Sequence, residues 1–220
     1  MNRRYWGSAI GMLVAVTAVS LYVYPSLPAR IPTHWNLHGA VNAYGPRGSI
    51  FVMPVGIAIL LLVFRALPWL SPKRFEVDRF YSTYLFVMVT ITGLFTFIFA
   101  VTLWAAIHPP VRIERVLLAG LCVFTVVLGS VLSDVRRNFW IGIRTPWTLA
   151  DERVWDATHR LGGRMFVIGG LVGLIAALVA SPLAVVVALG AATTVPVVYS
   201  LVLYKRLNDA GPDSGGTRSS

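Results

Sequence analysis

Long apolar runs, broken by short basic or turn-rich segments, set the pattern of this chain. A bilayer core about 30 Å thick needs about 20 helical residues. Tyr5–Ala29 carries no charge, and its apolar centre runs from Gly7 to Tyr24. It follows Arg3 and Arg4 as a signal peptide would. The apolar stretch is long for one, however, and no A-x-A-like cleavage site follows, which predicts an uncleaved first span. Gly48–Phe64 is the second charge-free run; it is short and contains Pro54, which predicts a kinked helix. Phe80–Val111 is the third, stopped by His108, Pro109 and Pro110. Val116–Ser133 is the fourth. Met165–Tyr204 is about 60 Å long as a helix, roughly two bilayer cores. Ser181-Pro182 near its middle divides it into a fifth and a sixth span, because proline suits a first helical turn. Pro196 predicts a kink in the sixth.

The pattern therefore predicts an all-α polytopic membrane protein: a bundle of six transmembrane helices with a short cytoplasmic interfacial helix. Three units are expected along it: an N-terminal two-span unit over 1–70, a four-span unit over 71–207, and a disordered cytoplasmic tail over 208–220, rich in Gly, Ser and Asp. Composition agrees. Hydrophobic residues make up 56% of the chain and charged residues 13%, about half the usual charged share of a soluble domain. This excludes a disordered chain, a collagen-like repeat and a disulfide scaffold. Cys122 is the only cysteine, so no internal disulfide forms and a cysteine-based metal site is not expected.

Charge sets the orientation. The net charge is +10. With six spans, fifteen of the nineteen Lys and Arg residues fall on the side of the termini and four on the other. By the positive-inside rule both termini are cytoplasmic and the chain is a multi-pass protein of the cell membrane. The basic excess is then mostly a topology signal, with the lipid bilayer as partner and no direct nucleic acid. No Asp, Glu, Lys or Arg falls in the middle of a span, which argues against an ion-coupled transporter or proton pump. Polar content in the spans is mostly Thr and Ser, notably Thr90, Thr92, Thr96 and Thr193. Their common role is packing and bonding to the i−4 carbonyl; a polar pocket lining is the sharper reading. Gly7-x-x-x-Gly11 and Gly169-x-x-x-Gly173 permit close helix approach.

The loop between the first two spans is dense in turn formers and aromatics: Pro32, His34, Trp35, Asn36, His38, Gly39, Tyr44 and Gly45. It is expected to pack as a lid on the bundle mouth, with His34, Trp35, Asn36, His38 and Tyr44 as ligand-contacting candidates. His34 and His38 are four apart and His108 is expected on the same side, so the three are weak metal candidates. A zinc site needs at least three ligands of suitable geometry, and no carboxylate lies in the loop. Nothing in the sequence implies a cofactor.

The loop between the fourth and fifth spans, Asn138 to Arg164, is the most informative. Thr145 before Pro146 is expected to be extended. Thr148 is a candidate helix cap, with Asp151 at the capping-box position. Val154, Trp155, Thr158 and Leu161 share one face of the following helix; Arg153, Asp156 and Arg160 share another, with Asp156 and Arg160 as an i,i+4 pair. This predicts a short amphipathic helix at the interface, anchored by Trp140, Trp147 and Trp155, with Gly162-Gly163 turning the chain into the fifth span. Two readings stand: a fixed interfacial elbow with arginines on lipid phosphate, or a docking surface formed by Arg144, Thr145, Pro146, Trp147, Trp155, His159 and Arg160. His159 could act as a general acid or base, but no nucleophile or carboxylate dyad is evident beside it.

Both loops resemble a known family. Ile141-Gly142-Ile143-Arg144-Thr145-Pro146-Trp147-Thr148-Leu149, followed by Val154-Trp155 and Thr158-His159-Arg160-Leu161-Gly162-Gly163, is similar to the signature of the SdpI family, the bacterial killing-factor immunity proteins. Pro32-x-His34-Trp35-Asn36-x-x-Gly39, with Tyr44-Gly45, resembles the domain of unknown function that often precedes it. The resemblance implies a six-span membrane protein that protects its producer from a secreted peptide toxin. It also implies a signalling role, in which the occupied protein holds a small cytosolic repressor at its inner face. Two other classes stay open: a membrane enzyme acting on lipid or cell-envelope substrates through its histidines, and, less favoured by the charge-free spans, a small-molecule or peptide transporter.

Overall fold

The computed structural model describes residues 2–36, 39–71, 77–108, 113–179 and 181–209. Its helices are α1 (Asn2–Val23), α2 (Val52–Ala66), α3 (Tyr81–Ile107), α4 (Glu114–Leu132), α5 (Pro146–Ala150), α6 (Glu152–Leu178) and α7 (Pro182–Asp209). A hairpin of β1 (Arg30–Trp35) and β2 (Val41–Pro46) joins α1 to α2. Six helical stretches are long and apolar enough to cross a membrane: α1, α3, α4, α6 and α7, and α2 together with the 3₁₀ turn ahead of it (Arg47–Ala66). The six expected spans are therefore present, and the chain is a multi-pass membrane protein.

Local chemistry explains the boundaries. Hydroxyls within the apolar helices bond to their own backbone: Thr90 to Phe86, Thr92 to Met88 and Thr96 to Thr92, each at 2.9 Å, and Thr193 to Leu189 at 2.6 Å. The helix thus satisfies its own polar groups, as lipid requires. Pro54 does not kink α2. It sits in the first turn, just after a 3₁₀ turn over Arg47–Phe51, where a missing N–H costs no ladder bond. α3 ends at Ile107 with His108 as its C-cap; Pro109 and Pro110 lie outside the described residues. The long run divides between Leu178 and Pro182, where expected, and α7 continues as helix through Pro196. Residues 210–220, most of the expected tail, lie outside the described residues.

The helices pack as two groups. α1, α2 and α3 form one; Tyr84 of α3 is buried and donates to the Phe64 carbonyl of α2 at 2.7 Å. α4, α6 and α7 form the other, along the two most extensive seams in the molecule. The α4–α6 seam is close because it is lined with glycine. A Cβ on Gly129 would stand 2.8 Å from the Gly163 carbonyl oxygen, and one on Gly163 would stand 2.9 Å from that of Gly129. The pair Gly169 and Gly173 works similarly, the first against Ala192 of α7 and the second against Cys122 of α4. Among the described residues, a Cβ on Gly7 or Gly11 would meet nothing within 4 Å, so that motif joins no helices there.

The outer loop is a β-hairpin, so among the described residues the fold is all-α apart from one small sheet. Two expectations are corrected here. The short interfacial helix is only α5, and residues after Asp151 run as one unbroken helix into the fifth span. Gly162-Gly163 is buried within α6 against α4 and makes no turn.

Candidate functional site

The hairpin pairs Arg30 with Pro46, Ile31 with Gly45 and Pro32 with Tyr44, then shifts register around His34. Its tip turns at Gly39, whose φ of +74° favours glycine; the Gly39 amide donates to the Asn36 carbonyl at 2.9 Å. Asn36 Oδ1 closes the turn by accepting the Ala40 amide at 3.0 Å. His34 Nδ1 donates to Asn42 Oδ1 across the strands. Trp35 packs on Val101, Ala105 and Ile113 at the α3–α4 end, so the hairpin does cover that mouth. Tyr44 is exposed. His38 lies outside the described residues, and among the described residues no group of three His, Cys, Asp or Glu could hold a metal ion. His108 bonds instead to its own helix, at the Trp104 carbonyl.

The opposite end is built around Asn138 and Trp155. Asn138 is fully buried and uses both ends of its amide. Oδ1 accepts the Trp140 and Ile141 amides at 2.7 and 2.8 Å, and Nδ2 donates to the Arg136 and Ile141 carbonyls at 2.8 and 2.9 Å. One side chain thereby folds the start of the loop. Trp155 is 0% exposed and donates Nε1 to the Val135 carbonyl at 2.8 Å. The His159 ring stacks on it, with centroids 4.0 Å apart. His159 is 1% exposed. Its Nε2 accepts the Ile143 amide at 3.0 Å, so Nδ1 carries the proton and donates to the Trp155 carbonyl at 2.8 Å. Both ring nitrogens are thus engaged, and the neutral tautomer is fixed.

Gly142 makes this clasp possible. Its φ is +110°, and a Cβ there would stand 2.4 Å from His159 Nε2. The motif then continues into α5. Thr145 is the N-cap; its hydroxyl accepts the Thr148 amide, while the Thr148 hydroxyl accepts the Thr145 amide at 2.9 Å and donates to the Ile143 carbonyl at 2.9 Å. Trp147 Nε1 donates to Ser200 Oγ, tying α5 to α7. Asp151 caps α6, accepting the Arg153 amide at 2.8 Å and pairing with its guanidinium at 2.8 Å. That guanidinium holds the Asp151 carboxyl below the usual carboxylate range.

Several expected docking residues are placed differently. Trp155 and His159 are buried as the elbow's core and present no surface, because their face of α6 points into the protein. Thr148 is the partner of the cap at Thr145, not the cap itself. Asp156 and Arg160 form no ion pair; among the described residues the ion pair is Arg153 with Asp151. Arg144 is exposed, reaches back to the Phe139 carbonyl at 2.5 Å, and lines an apolar cavity of about 370 Å³ with Leu128, Val135, Ile141, Phe166 and Val197. Arg160 is exposed elsewhere, between α4, α6 and α7. Asn138 and Ser200 were not legible as site residues from their types. Only the local turn chemistry of Asn hinted at the first.

Comparison with known proteins agrees with this construction. Residues 134–200, the elbow with α5, α6 and much of α7, match the SdpI/YfhL protein family. Residues 11–58, most of α1 through the hairpin and into α2, match a domain of unknown function, DUF1648. The chain is 28% identical over 173 residues to the immunity protein SdpI of Bacillus subtilis (strain 168), covering 78% of this chain and 80% of that protein. No solved structure matches. The motif resemblance and the matches converge on the same two loops, in a multi-pass membrane protein that carries a stretch similar to DUF1648 ahead of one similar to the SdpI/YfhL family.

Proposed function

We propose that this chain is an immunity and sensor protein, giving its host resistance to a secreted membrane-active peptide toxin. The observation that carries the reading is the match to an immunity protein over most of both chains; the two family matches take in the two loops. Two separate surfaces support a division of labour in this reading. The hairpin offers an exposed Tyr44 and the His34–Asn42 pair at one end of the bundle. The elbow offers a fixed, basic surface at the other, with Arg136, Phe139, Arg144 and Pro146 exposed beside Thr145 and Trp147. With both termini cytoplasmic, the hairpin meets the toxin outside. The elbow face then docks a small cytosolic repressor, Arg144 supplying charge and Phe139 an apolar contact. Expression in toxin-sensitive cells tests the first step: survival rises under peptide challenge, whereas unchanged killing at normal membrane levels of the protein contradicts it. Co-purification of the repressor tests the second: capture that survives Arg144→Ala places the docking face elsewhere.

A further inference from the structure

Two clefts open on α6 at the elbow end. One, of about 500 Å³, lies against α4 and is lined by Gly129, Ser133, Gly163, Val167 and Ile168. The other, of about 230 Å³, lies against α7 and is lined by Ala157, Leu161 and Tyr199. Both are also lined by Arg160 and Arg164. These arginines are four residues apart and so stand on one side of the helix. Both are exposed, and neither forms an ion pair with a carboxylate among the described residues. Arg164 is the last charge before the charge-free run that starts at Met165. Past it the cleft wall is apolar, and it continues onto exposed Ile168, Leu171, Val172 and Ile175. Gly129 and Gly163, where α4 and α6 meet closely, form the floor of the cleft.

A cationic pair at the mouth of an apolar recess, at the edge of a membrane span, asks for a compact anion joined to a long apolar chain. Guanidinium groups match phosphate oxygens in both charge and fork geometry. We propose that Arg160 and Arg164 hold the phosphate of an anionic phospholipid, with an acyl chain seated along Gly163, Val167 and Ile168. The exposed apolar side chains that continue the cleft would face lipid tails, which favours a membrane lipid over a peptide. This inference stands apart from the immunity reading and survives its failure.

The test uses the purified full chain in detergent, titrated with phosphatidylglycerol, with phosphatidylcholine of the same acyl chains, and with inorganic phosphate. Native mass spectrometry counts retained lipid. Phosphatidylglycerol is expected to remain bound where phosphatidylcholine dissociates, and phosphate at matched concentration is expected not to displace it. The double variant Arg160→Gln/Arg164→Gln should lower the bound fraction about tenfold. Lys205→Gln/Arg206→Gln, which removes the same charge from the end of α7, should leave it unchanged. Equal retention of the two lipids, equal loss in both double variants, or displacement by phosphate would overturn the site. Thermal shifts of the unmodified chain give a reading independent of any variant: only phosphatidylglycerol is expected to raise the melting temperature, and equal shifts with both lipids would overturn it.

Discussion

Gly142→Ala tests the clasp at the centre of the elbow. The φ of +110° is outside the range that L side chains readily adopt, which costs about 1–2 kcal/mol. The new Cβ would also stand 2.4 Å from His159 Nε2 and 3.3 Å from the Trp155 ring, so the imidazole must move. Its movement breaks the Ile143 amide bond and leaves a part-buried donor unmet, about 1–3 kcal/mol more. The expected loss is about 2–5 kcal/mol. On the scaling for a chain of this size it lowers the melting temperature by about 5–15 °C. Thermal unfolding of the detergent-solubilised protein, followed by near-ultraviolet circular dichroism, reads this out. His159→Ala supplies the control. Without the ring the clash disappears, so Gly142→Ala on that background should cost only the backbone strain. A Gly142→Ala variant within about 0.5 kcal/mol of the parent would refute the reasoning. So would the same cost with and without His159, since groups in contact should couple.

Asn138→Leu keeps the size of the side chain but removes all four of its bonds to the loop. It should cost about 3 kcal/mol or more and expose residues 136–145 to limited proteolysis. Trp147→Phe loses the bond to Ser200 and should cost about 0.5–1.5 kcal/mol; on a Ser200→Ala background the added cost should shrink, as a double-mutant cycle will show. Asp151→Ala removes the cap of α6 and should cost about 1 kcal/mol. Because Arg153 holds the Asp151 carboxyl below its usual range, that stabilisation is fully present above about pH 4 and is lost as pH falls through the lower folded value. The unfolding midpoint measured between pH 3 and 6 should therefore flatten in Asp151→Asn.

The spans were legible because the bilayer imposes a length and a charge-free composition that few other folds share. Ser181-Pro182 marked a helix junction because proline fits a first turn at no cost in ladder bonds, although α7 also runs on through Pro196. Single glycines and prolines were harder. Pro54 starts a helix and Gly162-Gly163 lies inside one, because the backbone role of each depends on what it packs against. The neighbour of Gly163 is Gly129, on a helix some thirty residues earlier, and no local pattern announces it. At the elbow, periodicity correctly grouped Val154, Trp155 and Thr158 on one face. Periodicity alone cannot say whether such a face meets lipid, a partner or the protein's own core. The contact that decides it is the carbonyl of Val135, twenty residues away. The cap shifted from Thr148 to Thr145 because Pro146, next to Thr145, is pre-set for the first helical position. The hairpin has no clear signature in the sequence, because its pairing is irregular and turn formers dominate it.

The most direct test of the two-ended account measures protection and repressor capture side by side in one strain. The variants are Tyr44→Ala and His34→Ala at the hairpin, and Arg144→Ala and Phe139→Ala at the elbow surface. Dose-response killing by the peptide reports the first activity and co-purification reports the second, with membrane levels matched by immunoblot. The account predicts that hairpin variants lose protection, while elbow variants lose capture and still protect. Protection that survives every hairpin change, or falls equally with changes at both ends, would contradict it.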